Sequence, residues 1–326
     1  MIDDWRPTCA IDILRLRAQV FNGIRCFFLA KDVLEVETPL LGHACGTDPQ
    51  LDFFTTDYIA HSQRDTLFLQ TSPEFAMKRL LAAGSGSIYQ ICKAFRNGES
   101  GRFHNPEFTM LEWYRVGFTL TELMDEISEL IETLSLGYLS LNATQRFTYQ
   151  DVFQRTTGLN SLTFSYVDYS AFALANGQPE ALAICGYEHA LWLDFIFSHY
   201  IQPHLGENAV CMVYGYPACQ SSLARINPLN PLITDRIEVF INGIELGNGY
   251  YELTDAQEQN KRFDEEIAVR LQNNRPVTVK DKQLIAAMEQ GLPECSGMAI
   301  GLDRLIMALT GNLSINDVLS FPVHRA

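Results

Sequence analysis

The sequence lacks any run of apolar residues near the roughly 18–20 that a membrane-crossing helix needs. It lacks a basic, apolar leader as well: it opens Met1-Ile2-Asp3-Asp4-Trp5, with acid where a signal peptide carries base. A cytoplasmic protein is therefore expected. No two of its eight cysteines (Cys9, Cys26, Cys45, Cys92, Cys185, Cys211, Cys219, Cys295) stand in a C-x-x-C pair, which removes the common zinc and redox signatures. They read as reduced, mostly buried thiols. Positive charge is scarce. Lys plus Arg is 24 against 39 Asp plus Glu, a net charge of −15. That argues against a protein that coats nucleic acid with a broad basic face, while leaving room for a local basic groove. Internal repeats and low-complexity runs are absent.

What is present is ordinary for a globular chain. Its 326 residues are 47% hydrophobic and 19% charged, enough for two domains or one large α+β domain. Ile11, Leu14, Ala18, Phe21 and Phe28 recur at helical spacing. A short strand, Val33 to Glu37, follows and stops at Pro39. Leu123, Met124, Ile127, Leu130, Ile131 and Leu134 form a second helical stripe. Residues from about 140 to 205 read as mixed helices inserted between two halves of a sheet. Asn242-Gly243 between alternating runs is a strong hairpin signal. Thr254 with Gln257 predicts the cap of a polar helix reaching about Leu271, and a further helix is expected from about Asp281 to Gln290. Another should follow Asp303-Arg304. Hairpin-paired strands with helices elsewhere indicate an α+β fold on an antiparallel sheet.

Three segments carry chemistry. In the hairpin, a two-residue turn pairs Ile241 with Ile244, Phe240 with Glu245 and Glu238 with Gly247. Glu238 and Glu245 are then diagonal neighbours on one face, where two carboxylates share a cation or a proton. On the pair alone, a solvated outer face is the readier account. Gly247-Asn248-Gly249 is a small-residue step of the kind found where a ligand approaches backbone, and Glu252 follows it. The second segment has strands at Tyr89–Phe95 and Glu107–Tyr114 joined by a polar loop with Arg96, Arg102 and His104, long enough to fold over a polyphosphate. The third, Ser296 to Arg304, alternates small and apolar residues, so a flat ligand can lie against bare backbone, with Arg304 placed to stack on a ring or meet phosphate.

Together the segments resemble the class II aminoacyl-tRNA synthetase catalytic core. Its first motif looks like Val33 to Pro39, its second like Phe95-Arg96 through Glu112, and its third like Gly297 to Arg304. Thr71-Ser72-Pro73-Glu74-Phe75, His104 through Glu112 and Glu245-Leu246-Gly247-Asn248-Gly249 are similar to the lysyl subfamily. Within it, the chain resembles the short branch without an anticodon-binding barrel, which joins β-lysine to elongation factor P. The resemblance implies one catalytic domain over 1–326 and a homodimer through Val33–Pro39. It also implies ATP and Mg²⁺, an adenylate of (R)-β-lysine, and a lysine of elongation factor P as acceptor, with no tRNA. By position it makes Arg96, Glu245 and Arg304 catalytic. Arg96 would hold the α-phosphate and the substrate carboxylate. Phe108 and Arg304 would sandwich adenine, with Asn97, Gly98, His104, Asn105, Glu245, Leu246 and Gly301 completing the ATP set. Glu238 and Glu245 would carry Mg²⁺. Ser72, Pro73 and Glu74 would face the substrate amino group, Tyr114 and Glu252 its distal ammonium, with Asn248 and Ala299 beside them.

Two positions depart from the lysyl pattern. Gly98 stands where an ATP-contacting Glu is usual, and Glu99 is placed to take over that role. Ala299 stands where lysyl-tRNA synthetases carry Gly. One methyl group is worth about 1–3 kcal/mol of discrimination, here against α-lysine and for the β isomer. Two other readings are carried forward. One is a truncated lysyl-tRNA synthetase-like enzyme; the other is a catalytically impaired binding paralogue with Gly98 as its lesion. His43, His61, His189, His199, His204 and His324 show no ligand spacing. Trp192 and Phe195 to Tyr200 read as a core-facing aromatic helix.

Overall fold

A computed structural model describes residues 5–60 and 63–326; Met1–Asp4 and His61 of the sequence reading lie outside the described residues. In chain order the elements are α1 (Ile11–Ala30), β1 (Leu34–Glu35), β2 (Leu41–Gly42), β3 (Thr55–Ala60), β4 (Gln63–Leu69), α2 (Glu74–Ala82), β5 (Ile88–Phe95) and β6 (Glu107–Val116). Then come α3 (Leu120–Ser135), β7 (Asn142–Thr148), α4 (Tyr149–Thr157), α5 (Tyr166–Ala175), α6 (Ala181–Cys185), α7 (His189–Ile196), β8 (Ala209–Pro217), β9 (Ile233–Ile241) and β10 (Ile244–Tyr251). The chain closes with α8 (Ala256–Gln272), α9 (Lys282–Gly291), β11 (Cys295–Gly301) and α10 (Leu302–Thr310).

These elements fall into two compact units, one of residues 1–119 with 254–326, the other of residues 120–253. In the first, β5 pairs antiparallel with β6, β6 with β11, and β1 joins β5 in parallel. A small antiparallel sheet runs β2-β4-β3. The second unit pairs β10 with β9 and β9 with β8 antiparallel, and β7 with β8 in parallel. Helices flank mainly antiparallel strands in both, the expected α+β class.

The expected first helix forms, but on a different face. Its buried stripe is Leu16, Val20, Ile24, Phe27 and Phe28, while Ile11 is 54% exposed. Two apolar stripes compete on this helix, and the sheet's aromatics select one. Phe28 stacks on Tyr89 at 4.5 Å and meets Trp113 at 5.6 Å. In α3 every residue of the expected stripe is buried. Helices α4 to α7 lie within the stretch expected to be helical and bury Tyr149, Phe153, Trp192 and Ile196 against Cys211, Val213 and Phe240 of the second unit's sheet. The chain then makes one π turn at Phe197–Ile201.

Two local expectations are corrected. The cap of α8 is Asp255, whose carboxylate accepts from Gln257 N and Glu258 N, rather than Thr254; a carboxylate one residue closer reaches both exposed amides. The hairpin opens as expected, with Ile244 opposite Ile241 and Glu245 opposite Phe240, but a bulge after Glu245 inserts one residue. Glu238 therefore faces Asn248 instead of Gly247.

Candidate functional site

In the first unit the site is built around a carboxylate. Glu112 sits mid-strand in β6, with Gln90 of β5 on one side and Ala299 of β11 on the other, and is 2% exposed. Tyr114, two residues along the same face, donates its hydroxyl to Glu112 Oε1 at 2.7 Å. Ser72 donates to Oε2 at 3.0 Å and accepts from Glu74 N at 3.0 Å. One serine thus braces the turn that leads into α2 and orients the carboxylate. The charge is felt nearby: burial, and then Glu112, push the Cys92 thiol up to about 12. Glu74 is paired with the buried Lys78, one turn on, at 2.6 Å. Ser72, Glu112, Tyr114 and Ala299 are thereby brought together as an acid-centred cluster suited to an ammonium.

The expected nucleotide residues of this unit lie on and beside the β5–β6 loop. The Arg96 guanidinium lies over the Phe108 ring at 5.0 Å and 3.7 Å from Glu99. Arg96 Nε is buried with no hydrogen-bond partner among the described residues. Asn97 N donates to Asp52 O at 2.8 Å. Gly98 has φ +81°, a left-handed conformation that glycine adopts without cost. Arg304, in the first turn of α10, donates to Phe103 O at 3.1 Å and sits 2.7 Å from His104 Nε2. An arginine only donates, so that ring nitrogen is the acceptor. Asn105 serves the scaffold through both ends of its side chain: Nδ2 donates to Glu107 O at 2.7 Å and Oδ1 accepts from Val323 N at 3.0 Å. Gly301, opposite Met110, opens α10.

In the second unit, cross-strand pairing places Arg236 opposite Tyr250, Glu238 opposite Asn248 and Phe240 opposite Glu245. Partners share a face and alternate residues return to it. All six side chains therefore lie on one face, Glu238 and Glu245 among them. Burial first, with the Glu245 charge beside it, raises Glu238 above the usual carboxylate range, against the lowering pull of Arg236. Arg236 donates to Glu238 Oε1 at 2.5 Å and to Gln220 O at 2.8 Å. Glu252 is 1% exposed, and Leu246 is buried.

Sequence reasoning missed three participants. In the sequence Glu112 is only the end of a motif; its partner Ser72 lies forty residues away. Asp303 accepts from Arg17 of α1 at 2.6 Å and from Thr109 N at 2.8 Å, tying α10 to β6. No local pattern links Arg17 to it. Arg236 could have been found: it alternates with Glu238 in a strand, so a cation beside the carboxylate was legible. Of the histidines, His189 lies 3.3 Å from the Tyr169 hydroxyl, and His199 Nδ1 bonds Phe195 O at 2.7 Å. Among the described residues, no group of three or more His, Cys, Asp or Glu is arranged to hold a metal ion.

Known proteins match nearly the whole chain. The model of the class II tRNA synthetases (D, K and N) matches residues 3–325. A protein of Vibrio vulnificus (strain YJ016) called elongation factor P–(R)-β-lysine ligase is 44% identical, across 98% of this chain and 98% of its own length. Proteins with the same name from Vibrio cholerae and Klebsiella pneumoniae (strain 342) are 45% and 41% identical, each over 99% of this chain.

Proposed function

The chain belongs to the class II tRNA synthetases of the D, K and N group, and from that premise we propose that it activates (R)-β-lysine with ATP and joins it to a lysine of elongation factor P. Use of ATP goes with the class. The observation that carries the choice of substrates is the end-to-end match to ligases bearing that name, at 44% and 45% identity.

The residues fit the parts they would play. Arg96 Nε is an orphaned buried donor, the kind of group a phosphate or carboxylate oxygen satisfies. Arg96 then steadies the substrate carboxylate as its oxygen attacks the α-phosphorus and pyrophosphate leaves. The Phe108 ring and Arg304 flank adenine. Glu99, 3.7 Å from Arg96, takes the place left by Gly98. Glu238 and Glu245 form an all-oxygen pair whose mutual repulsion favours a shared cation, and Mg²⁺ is commonly held by one or two carboxylates plus phosphates. When bound there, Mg²⁺ neutralises phosphate charge. The Glu112 cluster receives an ammonium of the amino acid, and the Ala299 methyl beside Glu112 narrows the space for its backbone. The protein does little acid–base work; positioning and charge neutralisation suffice. In the second step the elongation factor's lysine nitrogen attacks the adenylate carbonyl, AMP leaves, and the nitrogen loses a proton to give an amide.

The proposal includes a cytoplasmic reaction. No helix of the described residues is long and apolar enough to cross a membrane. With a net charge of −15, the chain is read as working without tRNA. A homodimer is proposed through the Val33–Pro39 segment, where Leu34 is 56% exposed and neighbouring Leu29 79%. ATP–pyrophosphate exchange with α-lysine and β-lysine tests the function. Exchange should favour β-lysine, and labelled β-lysine should enter elongation factor P. Charging of tRNA in place of the protein would overturn the assignment.

A further inference from the structure

On the β9–β10 face, the Asn248 amide is gripped from both ends. Arg236 Nε donates to Asn248 Oδ1 at 3.3 Å, and Asn248 Nδ2 donates to the Tyr250 hydroxyl at 2.8 Å. Because a guanidinium only donates, the amide can face only this way round. The Tyr250 oxygen is then an acceptor, and its proton goes on to Ser222 Oγ at 3.2 Å. The chain of bonds is directional from Arg236 to Ser222. Both ends are fixed. Arg236 is pinned by Gln220 O, by Glu238 and by the Tyr216 ring 4.6 Å away, and Gln220 in turn donates to Asp194 at 2.6 Å. Ser222 has φ +48°, a left-handed conformation a serine rarely adopts. Such strain persists where the surroundings over-determine it, often at a ligand site.

We propose that Tyr250 and Arg236 are positioning residues that hold the Asn248 amide in a single orientation and so set the affinity for the amino acid. The inference rests on the function proposed above and on the family resemblance, which sets Asn248 among the residues around the amino acid. Its physical content is preorganisation. A free asparagine side chain must be ordered when ligand binds, and an amide held at both ends has already lost that freedom. The grip takes one N–H and one lone pair of the amide, so one N–H and one lone pair can serve a ligand. The Tyr250 hydroxyl is the replaceable part, since a phenylalanine ring fills the same volume without it.

Tyr250→Phe should raise KM for β-lysine by about three- to tenfold, the size of one lost neutral hydrogen bond, with kcat and KM for ATP within about twofold. Ser222→Gly, which keeps the left-handed turn and removes the far acceptor, should shift the same KM in the same direction by less. Arg236→Lys, which also loosens Glu238, should raise KM for ATP too. A second readout is independent of turnover. The Asn248 side-chain amide protons, assigned by their loss in Asn248→Asp, should exchange with solvent faster in Tyr250→Phe than in the unaltered chain. Unchanged KM for β-lysine with unchanged amide exchange would overturn the inference, as would equal shifts in both KM values in Tyr250→Phe. If the unaltered chain activates no β-lysine, the functional reading fails by itself, and the amide exchange still decides this one.

Discussion

At the scale of single residues, the site depends on which polar groups have their hydrogen-bonding capacity already committed. Glu112 accepts two hydroxyl protons, from Ser72 and Tyr114, inside a nearly closed environment. Glu112→Gln keeps the shape but presents an amide N–H to one of those hydroxyls. Hydrogen bonds to a charged group are worth about 1.5–3 kcal/mol. KM for the amino acid in the exchange assay should therefore rise at least about tenfold, with a smaller change for ATP. Gly98 shows the opposite situation, a residue chosen for its backbone. At φ +81°, a glutamate restored there would be strained, so Gly98→Glu should not raise ATP affinity, as titration with the nucleotide would show. Asn105 carries a similar lesson. The motif implies contact with nucleotide, and its side chain also braces Glu107 and Val323.

At the scale of elements, two braces stand out. The first ties α1 to the start of α10 through Arg17 and Asp303. Asp303 is 1% exposed, and removing one partner of a buried pair costs about 3–5 kcal/mol. The five buried apolar side chains of α1 are each worth about 1.5–3 kcal/mol, so their sum outweighs the loss of the pair. Arg17→Met should leave α1 docked but lower the thermal midpoint, and Asp303→Asn in the same background should recover part of the loss. The second brace supports the hairpin: Gly206 O accepts from Asn242 N at 2.7 Å, and Gly243 N donates to Leu205 O at 2.8 Å. A Cβ on Gly206 would lie 2.8 Å from Ala209 O and Phe240 O, at φ +67°. Gly206→Ala should destabilise the chain by at least about 1–3 kcal/mol in denaturant unfolding and weaken the response of activity to Mg²⁺.

At the scale of the whole molecule, acidity shapes behaviour with pH. Glu266 on α8 is bonded by the Thr47 hydroxyl, and burial pushes its carboxyl up from 4.5 to about 7. The folded chain therefore holds this proton where the unfolded chain releases it. The associated stability is full below about 4.5 and is lost as pH rises through about 7. Glu266→Gln mimics the protonated form, so it should gain stability relative to the unaltered chain at about pH 8 and little at about pH 5. Urea midpoints at the two pH values measure the difference. A variant that tracks the unaltered chain at both would show that Glu266 ionises freely in the fold.

The sequence by itself determined much of this protein. Short strings such as Thr71 to Phe75 and Glu245 to Gly249 carry the resemblance to the family locally, and strand alternation alone put Glu238 and Glu245 on one face. Helix α3 was legible to the residue because its single apolar stripe leaves no choice of face. Other features waited for tertiary structure. Helix α1 carries two apolar stripes, and only contact with Tyr89 and Trp113 decides which one is buried. The bulge after Glu245 shifts Glu238 to Asn248, a one-residue change that alternation cannot foresee. Glu112 with Ser72, Arg17 with Asp303, and Tyr250 with Ser222 join residues far apart along the chain. Local chemistry is written in neighbouring residues, whereas the partner of a buried polar group is fixed only when packing removes water and leaves one donor within reach.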